Sequence, residues 1–274
     1  MRRGERETGR RYHVARMSSL MAVTRAVSPQ MGACQLTHVP RVPIDVALAA
    51  EQHAAYERTL EQLGCTIHRL PAGADMPDSV FIEDTAVVLD EISIIMRPGA
   101  ASRRGETTAV EEWLKHRILI GRIEPPATMD GGDVMVVGRS IFVGASSRTS
   151  QAGLDQFRAI VEYFGYSMTI IEVRGCLHLK SAVSAAGEET LLINPRWVSA
   201  DRFAEYRLVA VHPEEQLAAN VMRVGEDLVY SAAYPRTLEC LVGVGARVTT
   251  VDVSELAKAE GAVTCCSLIM NSAL

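Results

Sequence analysis

The sequence has no run of about 18 apolar residues, so nothing in it reads as a membrane-spanning helix. It has no basic surplus: 28 Lys and Arg stand against 33 Asp and Glu, the net charge is −5 and no basic stripe stands out, which argues against a nucleic-acid partner. It also lacks a GxGxxG after a strand, a P-loop, an HExxH and a GxSxG, and with them the common nucleotide, zinc-protease and serine-hydrolase readings. The Gly131-Gly132 pair lies between two aspartates and opens no helix. No secretion signal accompanies the six cysteines, so reduced thiols in a cytoplasm are expected rather than a disulfide framework. Cys65 and Cys240 sit in apolar patterns and read as core filler. No low-complexity linker divides the chain, which argues for one domain.

What is present fits a globular protein: 274 residues, 48% hydrophobic and 22% charged, long enough to bury a full core. The N-terminus is unusual. Arg2, Arg3, Arg6, Arg10, Arg11 and Arg16 are interleaved with Glu5 and Glu7. The apolar stretch from Met17 to Val27 is too short for a signal peptide and is broken by Arg25, and a transit peptide would be poorer in acids. Residues 1–20 are therefore read as a disordered tail, or as the product of a start codon placed too early, with Met17 or Met21 as the true start. Residues 21–274 form the expected domain.

Along that domain apolar residues recur at helical spacing from Ile44 to Leu63, and Gly64 follows as a stop. Strands are expected at 65–70, 85–89, 92–96, 166–173, 190–193, 207–211 and 247–251. Hairpins are expected at 134–143, around Gly138-Arg139, and at 221–230. Helices are expected at 108–115, with Thr108 and Glu111 at capping-box spacing, at 150–164 closed by Gly165, at 199–206, from Pro235 onward, and from a Ser254 cap to near Gly261. Strand pairs and single helices thus alternate about five times, at spacings near 50 residues. A parallel doubly wound sheet needs no hairpins between its helices, whereas a ring of ββαβ units does.

The chemistry-bearing residues fall in loops at strand ends. Asp78, Glu83 and Asp84 precede one strand, Arg103 and Arg104 follow another, Asp130 and Asp133 flank the Gly pair, His178 precedes a further strand, and Cys265-Cys266 lies near the C-terminus. Each has an ordinary explanation by itself. A lone Asp before a strand is usually a turn residue, Arg103-Arg104 a solvated face, His178 a hydrogen-bonded core histidine, and Cys265-Cys266 a buried apolar pair. The adjacent thiols also hint weakly at zinc, but a structural site wants four ligands at recognisable spacing. Glu83-Asp84 differs, because strand alternation turns one carboxylate inward, where it needs a cation or donors. Together, a thiol, an imidazole, acids and arginines are the parts for nucleophilic attack on a cationic carbon.

At these residues the chain resembles the dimethylarginine dimethylaminohydrolases of the guanidine-modifying superfamily. The matching strings are PDSVFIEDTAVV, RPGAASRRGE, DGGDV, FVGASSRT, LHLKS and VDVSELAKAEGAVTCCSLI, spanning 77–269 in order. The resemblance implies an α/β fold, a five-bladed ββαβ pseudo-symmetric propeller, and hydrolysis of Nω-methylated arginine to citrulline without a cofactor or required metal. It implies Cys265 as nucleophile, His178 as general acid/base, and Glu83, Asp84 and Asp130 as guanidinium-binding carboxylates. It implies Asp78 at the α-amino end, Arg103 and Arg148 at the α-carboxylate, and backbone contacts from Leu36 on a mobile lid loop and from Ala259. Zinc on Cys265 would be inhibitory. The expected partner is a small-molecule substrate, with no membrane, and a homodimer is compatible with the resemblance. The rivals are arginine deimination or amidino transfer on the same fold, and a non-catalytic metal-binding regulator using Cys265 and Cys266.

Overall fold

The computed structural model describes residues 20–272. Fifteen strands among them form five three-stranded mixed sheets, all built alike. A central strand pairs antiparallel with one neighbour and, after a crossover, parallel with the other; the parallel partner demands the crossover, the antiparallel one only a turn. In the closing sheet β1 (Leu20–Arg25) leads through α1 (Val46–Gln62) to its parallel partner β2 (Cys65–Leu70), and the far end of the chain, β15 (Ser267–Asn271), supplies the antiparallel partner. The next unit is β3 (Ala86–Val88), β4 (Ile92–Ile95), α2 (Thr107–Leu114) and β5 (Leu119–Arg122). Then come β6 (Val134–Val137), β7 (Ser140–Ala145), α3 (Gln151–Tyr163) and β8 (Ser167–Glu172). A short helix α4 (Leu179–Ala182) leads into β9 (Val183–Ala185), β10 (Thr190–Ile193) and β11 (Arg207–Ala210). The last unit is β12 (Val221–Val224), β13 (Asp227–Ser231), α5 (Pro235–Gly243) and β14 (Arg247–Val251), followed by α6 (Ser254–Ala257).

The first strands β3, β6, β9, β12 and β15 all line one axial cavity of about 200 Å³. The five-bladed ring expected from the strand-pair spacing is therefore the observed architecture, and β1–β15 pairing closes it. Local chemistry sets most boundaries. Asp45 caps α1 by accepting from Leu48 N, Ser150 caps α3 by accepting from Gly153 N, and Gly64 and Gly165 end those helices with φ of +93° and +78°. Among the described residues no helix is long and apolar enough to cross a membrane.

Several expectations are corrected. The tail assigned to residues 1–20 lies outside the described residues except at Leu20, which already belongs to β1. The capping box at Thr108 and Glu111 does not form: a 3-10 stretch, Ala101–Glu106, runs straight into α2, so the first amides are already inside helical turns. The helix expected at 199–206 is a single 3-10 turn, Ala200–Phe203. Val253, not Ser254, occupies the cap of α6, which stops at Ala257. Cys65 is core, whereas Cys240 is only partly buried.

Candidate active site

Five short turns lead into the five innermost strands, and the chemistry-bearing residues stand on them. Glu83 and Asp84 sit on a 3-10 turn ahead of β3, Asp130 and Asp133 flank one ahead of β6, and His178 precedes α4 and β9. Asn220 precedes β12, and Cys265 lies on the 3-10 turn Thr264–Cys266 ahead of β15. Equivalent positions in a closed ring converge, so residues up to 182 apart in sequence share one end of the axis. The Glu83-Asp84 turn packs against both the Asp130-Asp133 turn and the Cys265 turn, and the helix that follows His178 packs against the Asp130-Asp133 turn.

The imidazole of His178 lies between two carboxylates. Its Nε2 is 3.0 Å from Asp130 Oδ2, and its Nδ1 is 3.8 Å from Asp84 Oδ1. Asp130 also accepts from Gly99 N at 2.8 Å, and Asp84 from Gly132 N at 2.9 Å. A Cβ on Gly132 would lie 2.6 Å from both Asp84 Oδ1 and His178 Nδ1, so only glycine lets that backbone into the site. Burial alone would lower the His178 pKa; Asp84, the bond to Asp130 and the nearby Asp133 outweigh it and raise the value to about 9. Asp84 is held below the usual carboxylate range: burial opposes this, but His178 and Arg103 prevail.

Glu83 accepts from Lys180 Nζ at 2.6 Å and from Thr264 Oγ1 at 2.8 Å. Asn220 clamps the same threonine, donating to its Oγ1 at 2.9 Å and accepting from its N–H at 3.1 Å, which fixes the turn that carries Cys265. Burial, then Glu83 and Asp84, push the Cys265 thiol up to about 12. Asp133, judged structural from sequence, is fully buried and accepts from Leu179 N, Ser146 Oγ and Thr149 Oγ1. Its work is to hold the turn behind His178.

Arg103 is nearly enclosed by protein. Nε and Nη2 meet Glu106, Nη1 meets Asp84 Oδ2 at 2.5 Å, and Nη2 also meets the Phe81 carbonyl at 3.0 Å. Of its five N–H groups one on Nη1 is left over for a ligand, so the solvated-face reading of Arg103 is overturned. Arg148 is half-exposed and donates to Thr37 Oγ1 at 3.1 Å. Asp78 accepts from Gln35 N at 3.0 Å, and Leu36 and Cys265 pack against one apolar cluster that includes Phe81, Ala259 and Val263. Of the predicted residues, Asp84, Arg103, Asp130 and His178 are joined by direct ion pairs and hydrogen bonds, Glu83 and Cys265 stand on the turns next to them, and the side chains of Leu36, Asp78, Arg148 and Ala259 make no direct bond to that group. Lys180, Thr264, Asn220, Glu106 and Glu260 escaped the sequence reading. Lys180, Thr264, Glu106 and Glu260 lay inside matching strings; Asn220 carried no local signal.

The metal-regulator reading fares poorly. Among the described residues the group that could hold an ion is Asp84, Asp130 and His178, and neither cysteine of the pair belongs to it. Cys266 turns away, its Sγ 3.5 Å from the Ala262 carbonyl.

Comparison with known proteins follows the same lines. The family model of eukaryotic N,N dimethylarginine dimethylhydrolases matches residues 42–268. The dimethylarginine dimethylaminohydrolase of Pseudomonas aeruginosa is 40% identical over 226 residues, 82% of this chain and 89% of that one. A solved structure of the Pseudomonas aeruginosa protein, a cysteine-to-serine mutant complexed with citrulline, aligns with a TM-score of 0.88 at 36% identity, covering 91% of this chain and 98% of that one. A second, a histidine-to-glycine adduct of a dimethylarginine dimethylaminohydrolase with S-methyl-L-thiocitrulline, aligns with a TM-score of 0.87 at 36% identity over 91% and 99% of the two chains.

Proposed function

The chain belongs to the dimethylarginine dimethylaminohydrolase family, and on that premise we propose that it hydrolyses Nω-methylated arginine to citrulline and a methylamine through a covalent intermediate on Cys265. The observation that carries this reading is an imidazole bracketed by Asp84 and Asp130, with Asp84 on the turn that packs against the thiol-bearing one. Carboxylates suit a planar cation by two-point contact, and an α-carboxylate suits Arg, so Glu83, Asp84 and Asp130 take the guanidinium, Arg103 and Arg148 the acid end, and Asp78 the amine.

The proton inventory then runs in one direction. With its pKa near 12 the thiol is neutral before substrate arrives, and with its pKa near 9 the imidazole is protonated. A bound guanidinium cancels the field of the acids, and the thiol proton leaves to solvent. The thiolate attacks the guanidinium carbon. His178 protonates the departing methylamine, since an amine anion cannot leave at neutral pH, and the C–N bond breaks to give an amidino-thioether. The neutral imidazole then takes a proton from water, the hydroxide adds to the same carbon, and collapse expels the thiolate with release of citrulline.

We read residues 21–274 as one catalytic domain. Six free thiols suit a reducing compartment, the cytoplasm, and a homodimer remains part of the reading, to be weighed by sedimentation. A citrulline assay on dimethylarginine with the wild-type protein and Cys265→Ser tests the function: turnover is expected from the first only. Ammonia from unmethylated arginine would move the assignment to deimination, and a new guanidino compound would move it to amidino transfer.

A further inference from the structure

We propose that Glu260 is a positioning residue for substrate, a latch that holds the loop of residues 35–39 against the candidate site and fixes the Ala259 carbonyl beside it. The proposal rests on the functional reading above for what the loop encloses, but its own footing is geometric.

One carboxylate collects three successive loop amides. Thr37 N donates to Glu260 Oε2 at 2.7 Å, His38 N to Oε1 at 2.5 Å and Val39 N to Oε1 at 3.1 Å, across 221 to 223 residues of sequence. Consecutive N–H groups aimed at one point make a concave anion seat, and here the anion is a side chain of the same molecule. Bonds to an ionised acceptor are stronger than neutral ones. A loop this exposed has water available to every amide, so its convergence on Glu260 is a choice of conformation and not a need for partners.

The backbone at Glu260 tells the same story. Its φ of +59° is the one left-handed value at a non-glycine position among the described residues. Such a conformation favours Gly or Asn and persists when the surroundings over-determine it. The turn after α6 sets it: Ala259 N and Gly261 N both bond to Leu256 O, at 3.0 and 3.1 Å, and Glu260 N bonds to Ala257 O at 3.1 Å. Gly or Asn at 260 would close α6 with less strain. Neither could span the distance to the three amides, and Glu does.

The remaining ties of the loop run to groups the substrate would share. Gln35 N bonds to Asp78, and Thr37 Oγ1 accepts from Arg148. A substrate that engages Asp78 with its amine and Arg148 with its carboxylate weakens both ties as it binds. Glu260 is the hold that such a ligand leaves alone, and it neighbours Ala259, whose carbonyl faces the same ligand in the functional reading. Loop closure and carbonyl placement therefore depend on one side chain.

Two variants test this. Glu260→Asn keeps a residue tolerant of left-handed φ but is too short to reach the amides; Glu260→Gln keeps the length and loses the charge. Hydrogen exchange at the amides of residues 37–39 should quicken by about tenfold or more in Glu260→Asn and by less in Glu260→Gln. KM for dimethylarginine should rise by about tenfold in Glu260→Asn while kcat changes by less than about threefold, the pattern of lost binding rather than lost chemistry. Unaltered exchange at residues 37–39, or a lowered Tm with KM unmoved, would overturn the latch and leave Glu260 a plain helix terminator. If the wild-type protein fails to turn over dimethylarginine, the functional reading falls, and the exchange data still decide the latch.

Discussion

Cys265 and His178 are both driven toward their protonated forms, the thiol by burial with Glu83 and Asp84, the imidazole by Asp84, Asp130 and Asp133. Carboxylates stabilise a proton on either group, so the resting pair is a thiol and an imidazolium, not a thiolate–imidazolium ion pair. Titrating thiolate absorbance in the free protein should show no ionised Cys265 at neutral pH, and a cationic ligand such as an arginine analogue should bring the transition down. An ionised Cys265 at pH 7 without ligand would remove the substrate-activation step. Arg103 makes a second prediction at this scale. Its guanidinium joins Asp84, Glu106 and the Phe81 carbonyl inside the protein, and removing one member of a buried ion pair leaves the rest uncompensated. Arg103→Met should destabilise the fold by roughly 3–5 kcal/mol in chemical denaturation. Arg103→Lys should recover little, because one ammonium cannot span three acceptors set around a planar fork. A Met variant within about 1 kcal/mol of wild type would show that Asp84 and Glu106 find other partners.

The turns ahead of the innermost strands are the elements that make the site, and at Gly132 the backbone lies against two of its side chains with no room for a Cβ. Gly132→Ala forces Asp84 and His178 apart from a Cβ drawn 2.6 Å from each. A misplacement of about 1 Å is enough to lower kcat/KM by about a hundredfold, and circular dichroism should show the fold retained. Near-normal turnover in that variant would mean the Asp84–His178 spacing does not matter. The turns were legible in the sequence as strings of acids, His and Cys outside the periodic segments. The regular elements were legible where capping and period agreed, as at α1 and α3. β1 and β15 were not, for a physical reason. As the middle strand of its sheet, β1 has both faces covered and shows no alternation, and it buries Thr24 and Arg25, whose partners Glu57 and the Glu106 carbonyl lie 33 and 81 residues away. Ser267, the first residue of β15, is likewise satisfied by Tyr56 far upstream. Glu260 and Asn220 escaped for the same cause: what they do exists only as a contact across most of the chain.

Closure of the ring makes the whole molecule sensitive to one proton. Asp84, Asp130 and His178 come from three different blades, so a charged His178 links all three, and β1–β15 pairing leaves no free end from which a blade can unravel alone. The native pKa of His178 is about 9, against about 6.5 for an unfolded histidine. Between those values the native chain binds more protons than the unfolded one, so stability falls as pH rises. The contribution is complete below about pH 6.5 and gone above about 9; a gap of about 2.5 units corresponds to on the order of 3 kcal/mol. Asp133 and His53 titrate below the middle of that window, and Cys265 and Cys65 above it. Asp133, pushed up to about 6 chiefly by burial, loses its share before pH 6.5, and buried His53, lowered to about 4, has regained its neutral form by then. Cys265 near 12 and Cys65 near 11 begin to count only above the unfolded thiol value of about 8.5. Denaturant melts from pH 6.5 to 8.5 should therefore show wild-type stability declining while His178→Asn stays flat, so that the difference between the two curves isolates the imidazole. Parallel curves would mean that His178 is neutral in the folded protein, and the acid assigned to the leaving amine would have to be sought elsewhere in the ring.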